Sequence, residues 1–127
     1  MRNIFVSGHL DLTNAEFVEH YVPRLREAWS ESSALNLTVF HVGDARGADF
    51  MAQEFLVDLH AVVIVYHMFD TPRNLYRLPH RLVGGFTSDE ERDAAMTMAT
   101  TEDIAWVRPG REKSGTAKNL ARRLVQV

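Results

Sequence analysis

The chain has 127 residues and a formal net charge of −3. Its length fits one domain, and its charge excludes a broad basic face for nucleic acid or anionic membranes. It contains no cysteine, which excludes disulfide bonds and thiolate metal sites. No apolar run reaches the roughly 20 residues of a membrane-spanning helix, and residues 1–7 carry no signal-peptide pattern. We therefore expect a cytoplasmic protein without a membrane partner, and a nucleic-acid partner only if a local patch binds it.

The first third of the chain predicts a strand, a helix and a second strand. Residues 4–6 form a continuous apolar run, which is typical of a strand covered on both faces in a parallel sheet. Thr13 or Asn14 can cap the following helix, which Pro23 should kink or split. The mainly apolar residues 37–41 predict the second strand.

The middle of the chain predicts a helix, a buried strand and an irregular segment. Residues 49–60 place apolar side chains at helical spacing, with Asp49 as the N-cap. Residues 61–66 are the most apolar segment and predict a third strand. Residues 67–87 lack a clear period; a short helix that opens at Pro72 and ends at two glycines would make them a lid or a rim loop.

The last third predicts a helix, a strand and a final helix. Ser88, with Glu91 three residues later, has the pattern of a capping box for a helix over 89–101. Residues 104–107 predict the fourth strand, and the residues from about 116 to 125 predict the last helix.

The alternation of strands and helices predicts an α/β fold. We expect a three-layer α/β/α Rossmann-like domain with a mainly parallel sheet, spanning residues 1–127 as a single unit. Ligands of such folds bind outside the carboxyl ends of the strands, where the strand order reverses. Polar turns follow three of the strands, at residues 7–9, 43–49 and 110–116. If the first, second and fourth strands are neighbours, these turns converge on one crevice.

The turn after the second strand is a candidate anion site. Gly43 and Gly47 remove side chains where the backbone turns sharply or approaches a ligand. A helix that begins here presents unpaired N–H groups and the positive end of its dipole to a phosphate or carboxylate, and Arg46 adds a forked donor. The alternative is a tight strand-to-helix turn without a ligand.

The ordered motifs Val-Ser-Gly-His, Gly-Asp-Ala-Arg-Gly-Ala-Asp and Ser-Gly-Thr resemble the SLOG superfamily. This Rossmann-like group includes the lonely-guy phosphoribohydrolases and the DNA-processing protein DprA. The similarity spans residues 4–124 and is closest to the small YspA/YpsA-type branch, whose Arg-Asn pair corresponds here to Arg92-Asp93. The resemblance implies a pocket for a nucleotide or a nucleotide-derived molecule. The residues that it places around this pocket are Ser7, Gly8, Gly43, Arg46, Gly47, Asp49, Arg92, Ser114, Gly115 and Thr116.

Two departures from the family pattern bear on catalysis. Asp44 stands where relatives have glycine, and residues 117–119 read Ala-Lys-Asn where the phosphoribohydrolases carry glutamates. Cleavage of an N-glycosidic bond needs a carboxylate near the sugar and a proton donor for the departing base. The catalytic candidates are therefore Asp44, Glu112 and His9. The simpler interpretation makes the two acids solvated loop carboxylates and His9 an exposed loop residue.

Several other candidates also have two interpretations. Arg92 can clamp a phosphate or pair with Asp89 and Asp93. Asp49 can cap its helix or contact the ligand. No pair among the six histidines has the spacing of a zinc site, so we expect neither a metal nor a cofactor.

Three functions follow from these patterns. The first is a nucleotide-binding domain that releases the base from a nucleoside monophosphate. The second is a non-catalytic binder or sensor of a nucleotide-derived signal, which the missing glutamate favours. The third is an interaction module whose glycine turns are architectural. We also expect a homo-oligomer, because four strands would leave apolar helix residues such as Phe17, Tyr21 and Trp29 without cover.

Overall fold

The structure, a computed structural model, describes residues 1–125 as an α/β domain of five strands and five helices. The strands are β1 (Arg2–Val6), β2 (Thr38–Gly43), β3 (Val62–Met68), β4 (Arg81–Phe86) and β5 (Glu102–Ile104). The helices are α1 (Asn14–His20), α2 (Val22–Ser30), α3 (Ala48–Asp58), α4 (Asp89–Ala99) and α5 (Gly115–Leu124). None of these helices is long and apolar enough to cross a membrane.

The strands form one parallel sheet in the order β4-β3-β2-β1-β5. The α/β class and the Rossmann-like layering are therefore confirmed. From β1, the strands β2, β3 and β4 follow one another on one side, whereas β5 pairs with the other side of β1. The strand order therefore reverses at β1, which lies between β2 and β5. Ligands bind at this kind of position in open α/β sheets.

Successive side chains along a strand point to opposite faces of the sheet. Because the central strands are apolar at consecutive positions, both faces are apolar, and helices cover each of them. Ile4 and Phe40 belong to the larger buried cluster, which packs the sheet against α1, α2 and α3. The neighbouring residue Phe5 points to the opposite face, where it packs with Tyr66 and with Met96 of α4. The layers thus follow from the apolar strands that the sequence predicts.

The fifth strand, β4, lies within the segment that the sequence predicts to be irregular. It pairs with β3 from Ile64–Arg81 to Met68–Phe86. β4 is an edge strand with largely exposed side chains, so it lacks an apolar pattern, and its two glycines look like a chain break. The short helix predicted after Pro72 is wrong, because residues 69–80 contain no helix.

The first helical region is split in two, as Pro23 predicts. α1 ends at His20 and α2 begins at Val22, so Pro23 falls in the first turn of α2, where a missing N–H breaks no hydrogen bond. Thr13 is the N-cap of α1, and its side chain and that of Glu16 form both bonds of a capping box. The apolar run is thereby divided into two short helices.

The cap of α4 is confirmed only in part. The Ser88 hydroxyl accepts a hydrogen bond from the Glu91 N–H at 3.1 Å. The Glu91 carboxylate, however, accepts from Thr87 rather than from the Ser88 N–H. The helix start is thus correctly predicted, while the reciprocal bond of the capping box is not formed.

The apolar residues invoked for self-association are mostly buried within one chain. Phe17 and Tyr21 belong to the core and have rings stacked with centroids 5.5 Å apart. Trp29 alone among the three is exposed, at 39%. The helices α1 and α2 pack against the sheet more completely than the sequence suggests, which removes most of the reason for expecting a partner there.

A buried histidine on β2 makes the stability of the fold depend on pH. The His41 ring bonds the Tyr66 hydroxyl and the Asn3 side chain, both at 2.9 Å. Burial, with the charge of Arg81, lowers the pKa of His41 to about 4. The unfolded chain therefore binds a proton at His41 that the folded chain does not bind between about pH 6.5 and pH 4.

We expect the free energy of unfolding to fall as the pH drops through this window. His41 alone should account for a loss of about 2 kcal/mol between pH 7.5 and pH 5. Urea denaturation of the wild type and of His41→Gln at both pH values measures this loss. Equal pH dependence in the two proteins would contradict the assignment.

Candidate functional site

A crevice of about 260 Å³ opens where the turns after β1, β2 and β5 meet the first turns of α4 and α5. The three predicted turns meet here because β2 and β5 flank β1. The predicted site residues that line the crevice are Ser7, Gly8, His9, Asp49, Arg92, Ser114, Gly115 and Thr116. Further residues that line it are Phe5, Leu10, Ala45, Asp89, Asp93, Arg111 and Asn119.

Five predicted site residues lie outside the crevice lining. Arg46 and Glu112 are exposed, and the Glu112 carboxylate accepts a hydrogen bond from the Gly110 N–H at 3.0 Å, which lowers its pKa. Gly43 and Gly47 shape the backbone behind the crevice, and Asp44 is fully buried there. The sequence identifies the turns correctly but not which of their side chains face the cavity.

Tyr21 of the α1–α2 junction holds two of the turns together. Its hydroxyl donates to the Ser7 carbonyl at 2.7 Å and accepts from the Trp106 N–H at 3.0 Å. Gly8 is required beside it, because a Cβ at this position would overlap the Tyr21 hydroxyl and the Ala48 side chain. The turns after β1 and β5 are therefore locked at a fixed separation by one buried side chain.

The turn after β2 is closed by backbone contacts rather than open to an anion. Gly47, with φ of 73°, is the N-cap of α3 and has no capping side chain; the prediction that Asp49 is the N-cap is wrong. The Ala48 N–H donates to the His9 carbonyl at 3.1 Å, and the Ala45 N–H donates to Asp49 Oδ2 at 3.1 Å. The first amide of α3 is therefore already satisfied, and Asp49 adds a negative charge in the first turn, so the start of α3 is poorly suited to bind a phosphate.

Asp49 instead reaches the floor of the crevice. Its side chain is nearly buried, and Oδ1 has no hydrogen-bond donor among residues 1–125. Arg92 Nη2 lies 3.9 Å from Oδ2. Burial, with the negative charge of Asp93 nearby, raises the pKa of Asp49 to about 7 against the opposing charge of Arg92. The Asp49 carboxyl therefore holds its proton to a higher pH than an ordinary aspartate does.

Asp44 anchors the segment that leads from β3 to β4. Its carboxylate accepts from the Arg73 backbone N–H at 2.9 Å, from the Arg73 guanidinium at 2.9 and 3.2 Å, and from Arg92 Nη1 at 2.9 Å. These bonds outweigh burial and lower the pKa of Asp44 to about 2. A carboxylate held ionised and saturated in this way is poorly suited to acid–base catalysis.

Arg73, Asn74 and Gln53 are supporting residues that the sequence analysis did not assign to the site. The Asn74 side chain donates to the Asp44 carbonyl at 3.0 Å, and Gln53 Nε2 donates to the Gly43 carbonyl at 3.0 Å. The signal that could have found two of them is a literal Arg-Asn dipeptide at residues 73–74, whereas the family pattern was matched to Arg92-Asp93.

Arg92 is committed to carboxylates of the protein itself. Its guanidinium donates to Asp93 Oδ1 at 2.9 and 3.2 Å and to Asp44 Oδ1 at 2.9 Å, and it lies 3.4 Å from Asp89. Of the two interpretations offered by the sequence, the geometry favours pairing with these acids over a phosphate clamp. Arg92 thus organises the acidic side of the crevice.

The start of α5 is better suited to an anion than the start of α3, whose first amide is satisfied and whose first turn contains Asp49. Ser114 caps the helix through the Ala117 N–H at 3.2 Å, while the Gly115 and Thr116 amides make no hydrogen bond within the described part of the chain. The first turn of α5 contains no acidic residue. Unpaired amides and an uncompensated dipole at a crevice favour binding of an anion.

Two side chains next to these amides can add to such a site. Ser7 is buried, with an exposed fraction of 6%, and its hydroxyl has no hydrogen-bond partner among residues 1–125. Arg111 pairs with Asp11 only through Nη1, at 3.3 Å, so its other donors are not used within residues 1–125. A buried hydroxyl without a partner is costly, and a ligand oxygen would satisfy it.

His9 is neutral in this setting. Its Nε2 accepts the Arg108 backbone N–H at 2.9 Å, which places the ring proton on Nδ1. Burial, followed by the charges of Arg111 and Arg108, lowers the pKa of His9. The ring therefore lines the crevice as a neutral group, which does not favour the proton-donor role considered from the sequence.

Comparison of the chain with protein-family models, with curated proteins and with solved structures found no match in any of the three sets. The resemblance to the SLOG superfamily thus stays a prediction carried by the motifs. Among residues 1–125, no group of three or more histidine, aspartate or glutamate side chains is arranged to hold a metal ion.

Proposed function

We propose that the crevice binds a nucleotide-derived ligand whose phosphate lies at the start of α5. The observation that carries the proposal is the meeting of the unpaired Gly115 and Thr116 amides with the partnerless Ser7 hydroxyl at one cavity. Arg111 supplies a charged donor on the same side. Together these groups provide main-chain, hydroxyl and guanidinium donors, which are the groups that proteins use to hold phosphates.

The size of the crevice favours a small ligand. Its volume of about 260 Å³ lies slightly below the usual range for ligand sites, which is roughly 300–1,000 Å³. A mononucleotide whose base reaches the open mouth fits this space better than a dinucleotide. The crevice also lies where the strand order reverses, which is the position at which Rossmann-like folds bind nucleotides.

Arg111 provides the first test of the proposal. We expect Arg111→Ala to weaken binding of nucleoside monophosphates about 10-fold or more, because one charge-assisted hydrogen bond to the phosphate is lost. Isothermal titration calorimetry of a nucleotide panel measures this change. Lys113→Ala is the matched control, since Lys113 lies in the same loop with the same charge but outside the crevice lining.

Two results would contradict the proposal. One is a panel in which no nucleotide binds the folded wild-type protein. The other is an equal loss of affinity in Arg111→Ala and Lys113→Ala, which would indicate a general effect of surface charge. A thermal-shift screen of the same panel gives an independent readout, because a ligand that binds only the folded chain at 100 times its Kd stabilises it by about 2.7 kcal/mol.

A second candidate function is release of the base from the bound nucleotide. It is favoured by the Asp49 carboxyl, which lines the crevice and has a pKa raised by burial to about 7, near the optimum for a group that protonates a departing base. Detection of free base after incubation with nucleoside monophosphates, abolished in Asp49→Asn, supports this function. Binding without release supports a sensor.

Cytoplasmic location and self-association are part of the proposal as well. Cell fractionation tests the first. Light scattering coupled to size-exclusion chromatography tests the second, for which the support is limited to exposed apolar side chains such as Trp29 and Val18 on α2 and α1.

A further inference from the structure

β4 forms an open edge of the sheet. It stands last in the strand order, so no strand among residues 1–125 pairs with its outer side. At its end, the Gly85 N–H donates to the Phe69 carbonyl and the Phe86 carbonyl accepts from the Phe69 N–H, both at 2.9 Å. Phe69 directly follows β3, so these bonds lie on the inner side of β4. The amide and carbonyl groups that point away from β3 can therefore pair with another strand.

The side chains along this edge leave the backbone of β4 accessible. Four of its six residues are exposed, and two of these are Gly84 and Gly85, which have no side chain to block a second backbone. Large apolar side chains lie near both ends of the edge, since Leu82 is 43% exposed and Phe69 is 60% exposed. β4 contains neither proline nor lysine, the residues that commonly protect an edge strand. An edge of this kind favours pairing with another chain.

Two charges without an ion pair favour a second copy of this chain as the partner. Arg81 is the first residue of β4, Glu90 lies in the first turn of α4 just beyond the end of β4, and both are exposed. Neither forms a hydrogen bond or an ion pair within the part of the chain that the structure describes. When two copies of one strand pair antiparallel about a two-fold axis, the start of each lies near the end of the other. Arg81 of each copy then approaches Glu90 of the other.

We propose that β4 pairs antiparallel with β4 of a second copy of this chain, which joins the two five-stranded sheets into one. Main-chain hydrogen bonds between the two edges supply the affinity, and the two Arg81–Glu90 contacts set the orientation. This inference does not depend on nucleotide binding. It also assigns self-association to a surface other than that of Trp29 and Val18, because only β4 offers backbone groups together with complementary charges.

Sedimentation velocity over a range of protein concentrations tests this pairing. A six-residue edge is a small interface, so we expect a weak dimer with a Kd of about 1–100 µM. Leu82→Lys should raise this Kd about 10-fold or more, because it replaces apolar contact area with a charge that both copies bring to the interface. Val18→Lys is the matched control and should leave the Kd unchanged, since Val18 is also exposed, at 61%, but lies on α1.

A charge exchange tests the orientation of the two strands. Arg81→Glu should raise the Kd about fivefold or more, because it brings like charges together, and addition of Glu90→Arg should return it to within about twofold of the wild-type value. Circular dichroism checks that each variant is folded. Failure of the double variant to recover overturns the antiparallel arrangement.

Two further results would overturn the pairing itself. One is a monomer at every concentration, which would leave the edge to an extended segment of a different protein. The other is a dimer that Leu82→Lys leaves intact, or that Val18→Lys weakens to the same extent.

Discussion

Replacing Asp44 by alanine is expected to lower the free energy of unfolding by about 3–5 kcal/mol, since breaking a buried ion pair leaves its partner charge uncompensated. Arg92 is 5% exposed, and its guanidinium would lose the bond of 2.9 Å to Asp44. Arg73 would lose two side-chain bonds and one backbone bond at the same time. Urea denaturation followed by circular dichroism measures the change.

Asp89→Ala is the control for this substitution. Asp89 pairs with the same two arginines, with Arg73 at 2.7 Å and with Arg92 at 3.4 Å, but its side chain is 61% exposed. Exposed ion pairs contribute about 0–1 kcal/mol, because water solvates the charges left behind. If the two variants were destabilised equally, the buried arrangement around Asp44 would not be the anchor that we infer.

Gly47→Ala is expected to destabilise the fold by more than about 3 kcal/mol, because backbone strain and a steric overlap add together. Gly47 has φ of 73° and ψ of −125°, a conformation open to glycine and strained for other residues. A Cβ there would lie 2.6 Å from the His9 carbonyl oxygen and closer still to the Leu10 carbonyl oxygen. Both are backbone atoms of the turn after β1, so relief requires the two turns to separate.

Gly110→Ala separates the two contributions. Gly110 also has a positive φ, of 89°, but a Cβ there would meet no atom within 4 Å. It should cost about 1–2 kcal/mol, the strain alone. Measurement of both variants by thermal and urea denaturation tests the difference. Equal destabilisation would show that the contact between the turns after β1 and β2 does not contribute.

The segments that the sequence predicts well are those buried on both faces or broken by proline. The apolar runs at residues 4–6, 37–41 and 61–66 correspond to β1, β2 and β3, because a central parallel strand must be apolar on both sides. Pro23 divides α1 from α2 as expected. β4 was missed because an edge strand is exposed and has no such requirement.

The sequence predicts which turns form the candidate site, but not which side chains in those turns contact one another. The three turns could be read from glycine and polar residues, but their meeting depends on the order of the strands. Asp44 and Asp49 lie five residues apart along one turn and have opposite environments. One is saturated by arginines and ionised, and the other is desolvated with a raised pKa. No local pattern distinguishes them.

The sequence by itself determined the alternation of strands and helices, the helix start at Ser88, a helix start at Thr13 or Asn14, and the polar turns at the strand ends. These features depend on local backbone preferences and on apolar periodicity. Only the tertiary structure decided which helix start lies at the crevice without an acidic residue in its first turn, and which carboxylate is saturated by arginines. The physical reason is that hydrogen-bond partners come from distant parts of the chain. Arg73 and Arg92 reach Asp44 across 29 and 48 residues, and the His9 carbonyl satisfies the first amide of α3.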